Sequence, residues 1–235
     1  MNLRIDQLDQ LLNDFAIRCF GDVADGDYIA ARMASRARMV VQYLWASQQA
    51  IEKYLKCILL LNRIPAAKAY HDLGKALATI NSSGKLRVAL TNPTQEFIQY
   101  LDQCGKCRYL EISNFAFGAD IVTLDRAVWE LRRYCTLTLE PRTATLRDGF
   151  PAPKVRLPGR FLEKVIDTPS HPAREPLLWQ NGYFGRRTRR SVKLQKWWQA
   201  QNAPLFLNPQ MLDEVLKYVH LPKDLRDAYR AHKKT

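Results

Sequence analysis

The chain has 235 residues, 47% of them apolar, with 36 basic against 23 acidic side chains for a net charge of +13. That length suits one large domain or two small ones with a real buried core. No apolar run reaches the roughly 18 residues a membrane-spanning helix needs, and the segment from Met1 to Gln10 is too polar for a secretory leader. The expectation is a soluble, cytoplasmic protein.

Ile5, Leu8, Leu12, Phe15 and Cys19 recur at helical spacing and predict a first amphipathic helix. Gly21 and the Asp25-Gly26-Asp27 cluster read as its end, with Asp27 placed to cap a second helix from Tyr28 to Ser35. That helix has the composition to continue through Arg36 and Arg38 into a long third one. There Val40, Tyr43, Leu44, Ser47, Ile51, Tyr54, Leu55 and Ile58 form an inner stripe. Gln49, Glu52, Lys53 and Lys56 form the polar face, and Glu52 and Lys56 stand in the favourable order for an i,i+4 pair. From Cys57 to Leu61 the polar face vanishes, which predicts burial on most sides.

Pro65 ends that helix, and a short one is expected over Asp72–Ile80. Asn81-Ser82-Ser83-Gly84 reads as a loop, Pro93 opens a further helix through Leu101, and Gly105 reads as a turn. Ile121, Leu124, Val128, Leu131, Cys135 and Thr138 then alternate by threes and fours, a narrow stripe fit for a bundle partner or a dimer seam.

Composition shifts at Pro141: ten of the twelve prolines fall there or later. Residues 141–159 read as a proline-rich linker or surface wrap. Charge shifts too, since residues 1–140 carry 17 Lys and Arg against 15 Asp and Glu, whereas residues 141–235 carry 19 against 8. A positive field confined to one part of a chain points to a polyanion, most often nucleic acid, or to an acidic protein. Residues 160–235 promise a short helix near Phe161–Asp167, a looped stretch with Pro169, Pro172 and Pro176, and a helical pair over about 210–219 and 223–232. The reading is all-α. A helical bundle spans 1–140, the linker spans 141–159, and an irregular, basic, mostly helical extension spans 160–235.

Several constellations could carry chemistry. Tyr183, Phe184, Arg186, Arg187, Arg189, Arg190, Lys193, Lys196, Trp197 and Trp198 crowd one stretch. Basic side chains attract phosphates and release counterions, while aromatics stack on unpaired bases. The pattern suits single-stranded or folded RNA; alternatively, the Trp pair anchors the tail and the arginines are solvated. Cys104 and Cys107 resemble half of a zinc site, but no second pair completes four ligands, so two free thiols on a turn are expected. With Cys19, Cys57 and Cys135 the cysteine count is odd, which points to a reducing compartment, and these three fall on predicted apolar faces. His71-Asp72 reads as a cap for the helix that follows rather than as a metal or catalytic pair. No glycine-rich phosphate loop is present, and no metal or cofactor is expected.

Asp14-Phe15, Tyr28 to Arg32, the string Gln49-Ala50-Ile51-Glu52-Lys53-Tyr54-Leu55-Lys56 within Trp45 to Leu61, His71-Asp72-Leu73 and Arg108-Tyr109 together resemble the HEPN family over about residues 13–140. The resemblance implies an all-helical bundle, often dimeric. Many relatives of that kind are metal-independent ribonucleases, and some work beside a nucleotidyltransferase-like partner in toxin–antitoxin or defence systems. Their motif is an arginine followed four to six residues later by a histidine. Arg108 matches the first position, but Ser113 or Asn114 stands where the histidine belongs. The resemblance therefore implies an RNA- or nucleotide-binding homodimer, with Arg108 joining Arg186, Arg187, Arg189, Arg190, Lys193, Lys196, Trp197 and Trp198 as contacts. The alternatives are an endoribonuclease with a degenerate site using Arg108 and Tyr109, and a module for an acidic or nucleotidyltransferase-like protein.

Overall fold

Small residues and misplaced-looking aspartates decide the start of the fold. In the computed structural model, which describes residues 12–65, 71–106, 115–135, 160–185, 199–201, 227 and 231, the helix does not break at Gly21 or at Asp25-Gly26-Asp27. A turn at residues 12–15 runs into a π-helical stretch, Ala16–Gly21, and on without interruption into α1, Asp22–Arg36. The Asp22 N–H reaches back five residues to the Ile17 carbonyl, the one-residue widening that defines a π turn. Ala16, Ile17, Gly21 and Ala24 face inward, whereas Phe15 and Cys19 are exposed. Phe15 and Cys19 of the predicted stripe are thus on the outer side, with small residues at the close helix contact, while Ile5 and Leu8 lie outside the described residues.

Asp25 does not end the helix because its carboxylate is spent on the core. It accepts from the Tyr54 hydroxyl at 2.6 Å, from Arg132 at 2.8 and 3.0 Å, and from the Leu162 amide at 3.2 Å. Asp27 pairs with Lys53 instead of capping.

α1 and α2 (Val40–Leu61) are separate helices packed closely against each other. The break lies at Arg38, whose φ of 59° is left-handed. Arg38 N–H bonds to Ser35 O at 3.0 Å and Met39 N–H to Ala34 O at 2.9 Å, a Schellman closure made without glycine. α2 closes in the same way, with Arg63 at φ 53° and Ile64 N–H on Leu59 O at 2.8 Å. The predicted inner stripe of α2 is buried throughout, as are Cys57, Ile58 and Leu59.

α3 (Leu73–Ser82) and α4 (Asn92–Lys106) pack on α2 and on each other. Gly105 is not a turn. It lies within α4, and a Cβ there would sit 2.3 Å from Gln48 Nε2, so glycine lets α2 and α4 approach. α5 (Asp120–Arg132), extended by a 3-10 turn to Cys135, buries Ile121, Leu124, Val128, Leu131 and Cys135 within the bundle. Its narrow stripe is therefore core packing; Thr138 lies outside the described residues.

The chain then returns to the same core. α6 (Phe161–Asp167) and α7 (Arg174–Leu178), the latter formed across Pro176 where the sequence suggested a loop, both pack on α1. Leu162, Val165, Leu177 and Phe184 join the bundle's apolar cluster. Two buried ionic networks fasten this segment. Arg132 bridges Asp25 and Glu163, the latter at 2.7 and 2.6 Å, while Arg160 donates to the Cys135 carbonyl at 3.1 Å. Arg32, with a fully buried side chain, pairs with Asp125 and donates to the carbonyls of Pro176 (3.1 Å) and Trp179. Tyr28 donates to Asp125 at 2.6 Å and accepts from Asn181 at 2.8 Å. Burial pushes the Tyr28 and Tyr54 hydroxyls well above their ordinary pKa, so both remain donors. The Cys135 thiol is held protonated for the same reason, aided by neighbouring Cys57.

The fold is all-α, and the described residues add to the helices a short antiparallel ribbon of β1 (Phe115–Phe117) and β2 (Gln199–Gln201). Among the described residues, no helix is long and apolar enough to cross a membrane.

Candidate functional site

Two regions converge on chemistry. The first is the ribbon. Phe115 is opposite Gln201, and Phe117 is opposite Gln199. β1 begins immediately after the stretch that carries Arg108 and Tyr109, and β2 begins immediately after the basic stretch that ends in Trp198. Arg108, Tyr109, Arg186, Arg187, Arg189, Arg190, Lys193, Lys196, Trp197 and Trp198 themselves lie outside the described residues. What the fold provides is their tethers. α4 delivers the chain at Lys106 and β1 receives it at Phe115. On the other side, the Arg32–Asp125–Tyr28–Asn181 network ends at Phe184, whose amide donates to Asn181 Oδ1 at 3.0 Å. Gly185 follows with a left-handed φ of 72°. The basic stretch is therefore anchored at its start by a buried network and at its end by a strand pair.

The second region sits on α2 where α3 begins. Asp72 caps α3, its Oδ1 accepting from the Lys75 amide at 2.7 Å, as its place in the sequence suggested. Asp102 of α4 takes the Leu73 amide at 2.9 Å. Two carboxylates thus satisfy first-turn donors and complement the helix dipole. This fixes the preceding residue, His71, whose Nδ1 lies 2.9 Å from Glu52 Oε1. Glu52, on the polar face of its helix in the sequence reading, has a side chain only 7% exposed, against 67% for His71. Lys56 Nζ donates to the same Glu52 oxygen at 2.6 Å, the i,i+4 pair expected from their order. Glu52 Oε2 and the neighbouring Gln48 Oε1 are buried without a hydrogen-bond partner among the described residues. A carboxylate oxygen only accepts, so His71 Nδ1 carries the proton in this contact and Nε2 is left as the basic nitrogen. The 19-residue separation hides the pair in the sequence; the only signal was the polar Glu52 inside an otherwise strengthening apolar run.

Cys104 is buried within α4, not on a turn, and Cys107 lies outside the described residues. Among the described residues, no group of three or more His, Cys, Asp or Glu side chains could hold a metal ion.

No family model, no curated protein and no solved structure matches this chain.

Proposed function

We propose that this chain is a HEPN-like protein that binds RNA or a nucleotide through a basic surface, working as a homodimer beside a partner in a toxin–antitoxin or defence setting. The observation that supports the binding reading best is the β1–β2 pairing. It draws together the flanks of two stretches, far apart in sequence, that hold Arg108 and the Arg186–Trp198 cluster. A strand pair of three residues a side is marginal by itself. The +11 charge of residues 141–235 supplies the attraction, and the interleaved aromatics supply stacking. The arginine–histidine motif of the family's nucleases is incomplete at Ser113 and Asn114, so binding is the function assigned to this surface.

The test is an electrophoretic binding assay with a labelled total RNA pool in EDTA at two salt concentrations. Wild-type protein should bind, more weakly at higher salt. Replacing Arg186, Arg187, Arg189 and Arg190 with alanine should lower affinity and flatten the dependence of log K on log salt by about 3, at roughly 0.7 per lost single-strand phosphate contact. Unchanged binding by the variant, or capture of an acidic protein that survives nuclease treatment in place of RNA, would overturn this reading.

A further inference from the structure

The outer side of α1 is an apolar face that the bundle leaves uncovered. Ala24, Tyr28, Ala31 and Ala34 are buried in the core. On the other side Val23, Ala30, Met33 and Ala37 are exposed, with Gly26 in line between the first two; Val23 is 43% and Met33 52% accessible. Their spacing runs three, four, three, four, the seam of a helix that packs along another at a shallow angle. Packing within this chain does not account for that repeat, because the core takes the other side of the helix. No lysine or arginine interrupts the seam, so it suits a protein surface rather than a polyanion.

The face is complementary to itself. At Gly26 it opens into a recess of about 400 Å³, lined also by Asp22, Val23, Asp27, Phe161 and Lys164. A Cβ at Gly26 would meet nothing nearer than the Phe161 ring at 4.0 Å, so the glycine leaves the floor of the recess free. Met33, two turns further on, is an exposed and adaptable side chain of the kind that fills such a recess. The ends of the face differ in charge. Asp22 stands at one end with Lys164 of α6 beside it, and Arg36 and Arg38 stand at the other with Glu175 of α7 beside them. An antiparallel pair of such faces sets opposite charges together, whereas a parallel pair sets like charges together.

Resting on the homodimer in the reading above, we infer that a second copy of this chain docks on this face, α1 against α1, antiparallel about a two-fold axis at Ala30. Val23 meets Ala37 of the second copy, Met33 enters the recess over its Gly26, and Ala30 meets Ala30. The contact is isologous, so each unlike pairing occurs twice. Asp22 lies toward Arg38 of the second copy, and Lys164 lies toward its Glu175. Such rim pairs set direction more than strength. The 15 residues of α1 are about 22 Å long. A seam of that length is at the small end of protein interfaces, so the dimer forms at micromolar concentration.

Sedimentation equilibrium of the full chain between about 1 and 100 µM tests this. Wild type should rise from 27.2 kDa toward twice that mass. Met33→Glu, a change at an exposed side chain, should raise the dimer dissociation constant by about 30-fold or more. Gly26→Leu fills the recess and favours the helix, so it should do the same while circular dichroism shows no loss of helix. With oxidised glutathione added, Ala30→Cys should join two copies through a disulfide at the axis several-fold faster than wild type cross-links. A wild type that stays at 27.2 kDa throughout would overturn the inference and the homodimer of the proposed function together. A dimer that persists in both Met33→Glu and Gly26→Leu would overturn the inference alone and leave that homodimer on another face. A wild type that stays single and takes up an unrelated protein, lost in Met33→Glu, would overturn the choice of a second copy as the occupant. RNA binding is read in the same samples: a wild type that dimerises as described without binding RNA would support the interface and overturn the binding reading.

Discussion

Glu163 is the clearest single-residue reporter of the way the extension is held. Its carboxylate takes two bonds from Arg132, at 2.7 and 2.6 Å. Burial alone would raise its pKa, but the hydrogen bonds and charge of Arg132 outweigh that and hold it below the ordinary glutamate value. The unfolded chain therefore takes up this proton first as pH falls. The stabilisation from Glu163 is fully present above about pH 5 and is lost as pH drops below about 4 toward the lowered native value. Denaturant titrations of wild type and Glu163→Gln should differ most near neutrality and converge in acid. Asp125, which burial pushes upward against the charge of Arg32, acts with opposite sign but is common to both proteins and cancels in the comparison. Curves that stay parallel from pH 7 to 3 would show that the Arg132 contact stores no such energy.

At the scale of elements, the two Schellman closures tell how helix ends escape a reading by composition. Arg38 and Arg63 hold left-handed φ values of 59° and 53°, where glycine is the usual occupant. Composition allowed α1 to run into α2, and only the hydrogen bonds of the closure reveal the break. Arg38 is exposed, so Arg38→Gly should remove the left-handed strain and raise stability by roughly 1 kcal/mol, read from the midpoint of urea unfolding. A loss of stability would mean that the arginine side chain does more there than its backbone costs. Elsewhere periodicity was a good guide. The α2 stripe and the α5 stripe follow apolar residues at spacings that only a core-facing helix needs. It failed at Ala16–Gly21, where the π turn shifts the phase and small residues take the inner side. It failed again at Asp25, which resembles a turn signal only until Arg132 and Leu162, more than a hundred residues away, are brought beside it.

On the scale of the molecule, Arg32 ties bundle and extension together. It sits with a fully buried side chain between Asp125 on α5 and the carbonyls of Pro176 and Trp179. Burial weakens its charge, but Asp125 more than compensates and its pKa lies above the ordinary arginine value. Arg32→Met should cost about 3–5 kcal/mol, because Asp125 would then be buried unpaired. A chemical denaturation series measures this directly, and a cost under about 1 kcal/mol would show that the network is dispensable. The sequence showed Arg32 only as one residue of a family-like string, with no sign of its pairing to Asp125, 93 residues away. The candidate site was legible in part. Asp72 announced its cap, and Lys56 announced its pairing with Glu52, but His71 became a partner of Glu52 only when α3 was laid on α2.

The contact between Arg160 and the Cys135 carbonyl has a consequence for chain connectivity. Cys135 and Arg160 stand on either side of residues 136–159, and the Arg160 side chain donates to the Cys135 carbonyl at 3.1 Å. The two ends that this segment joins are therefore held together by the core itself. Closing a flexible loop between fixed ends costs only about 0.6 kcal/mol more for each doubling of its length. A change in the number of residues between Cys135 and Arg160 should accordingly leave the grip of Arg160 on the bundle in place.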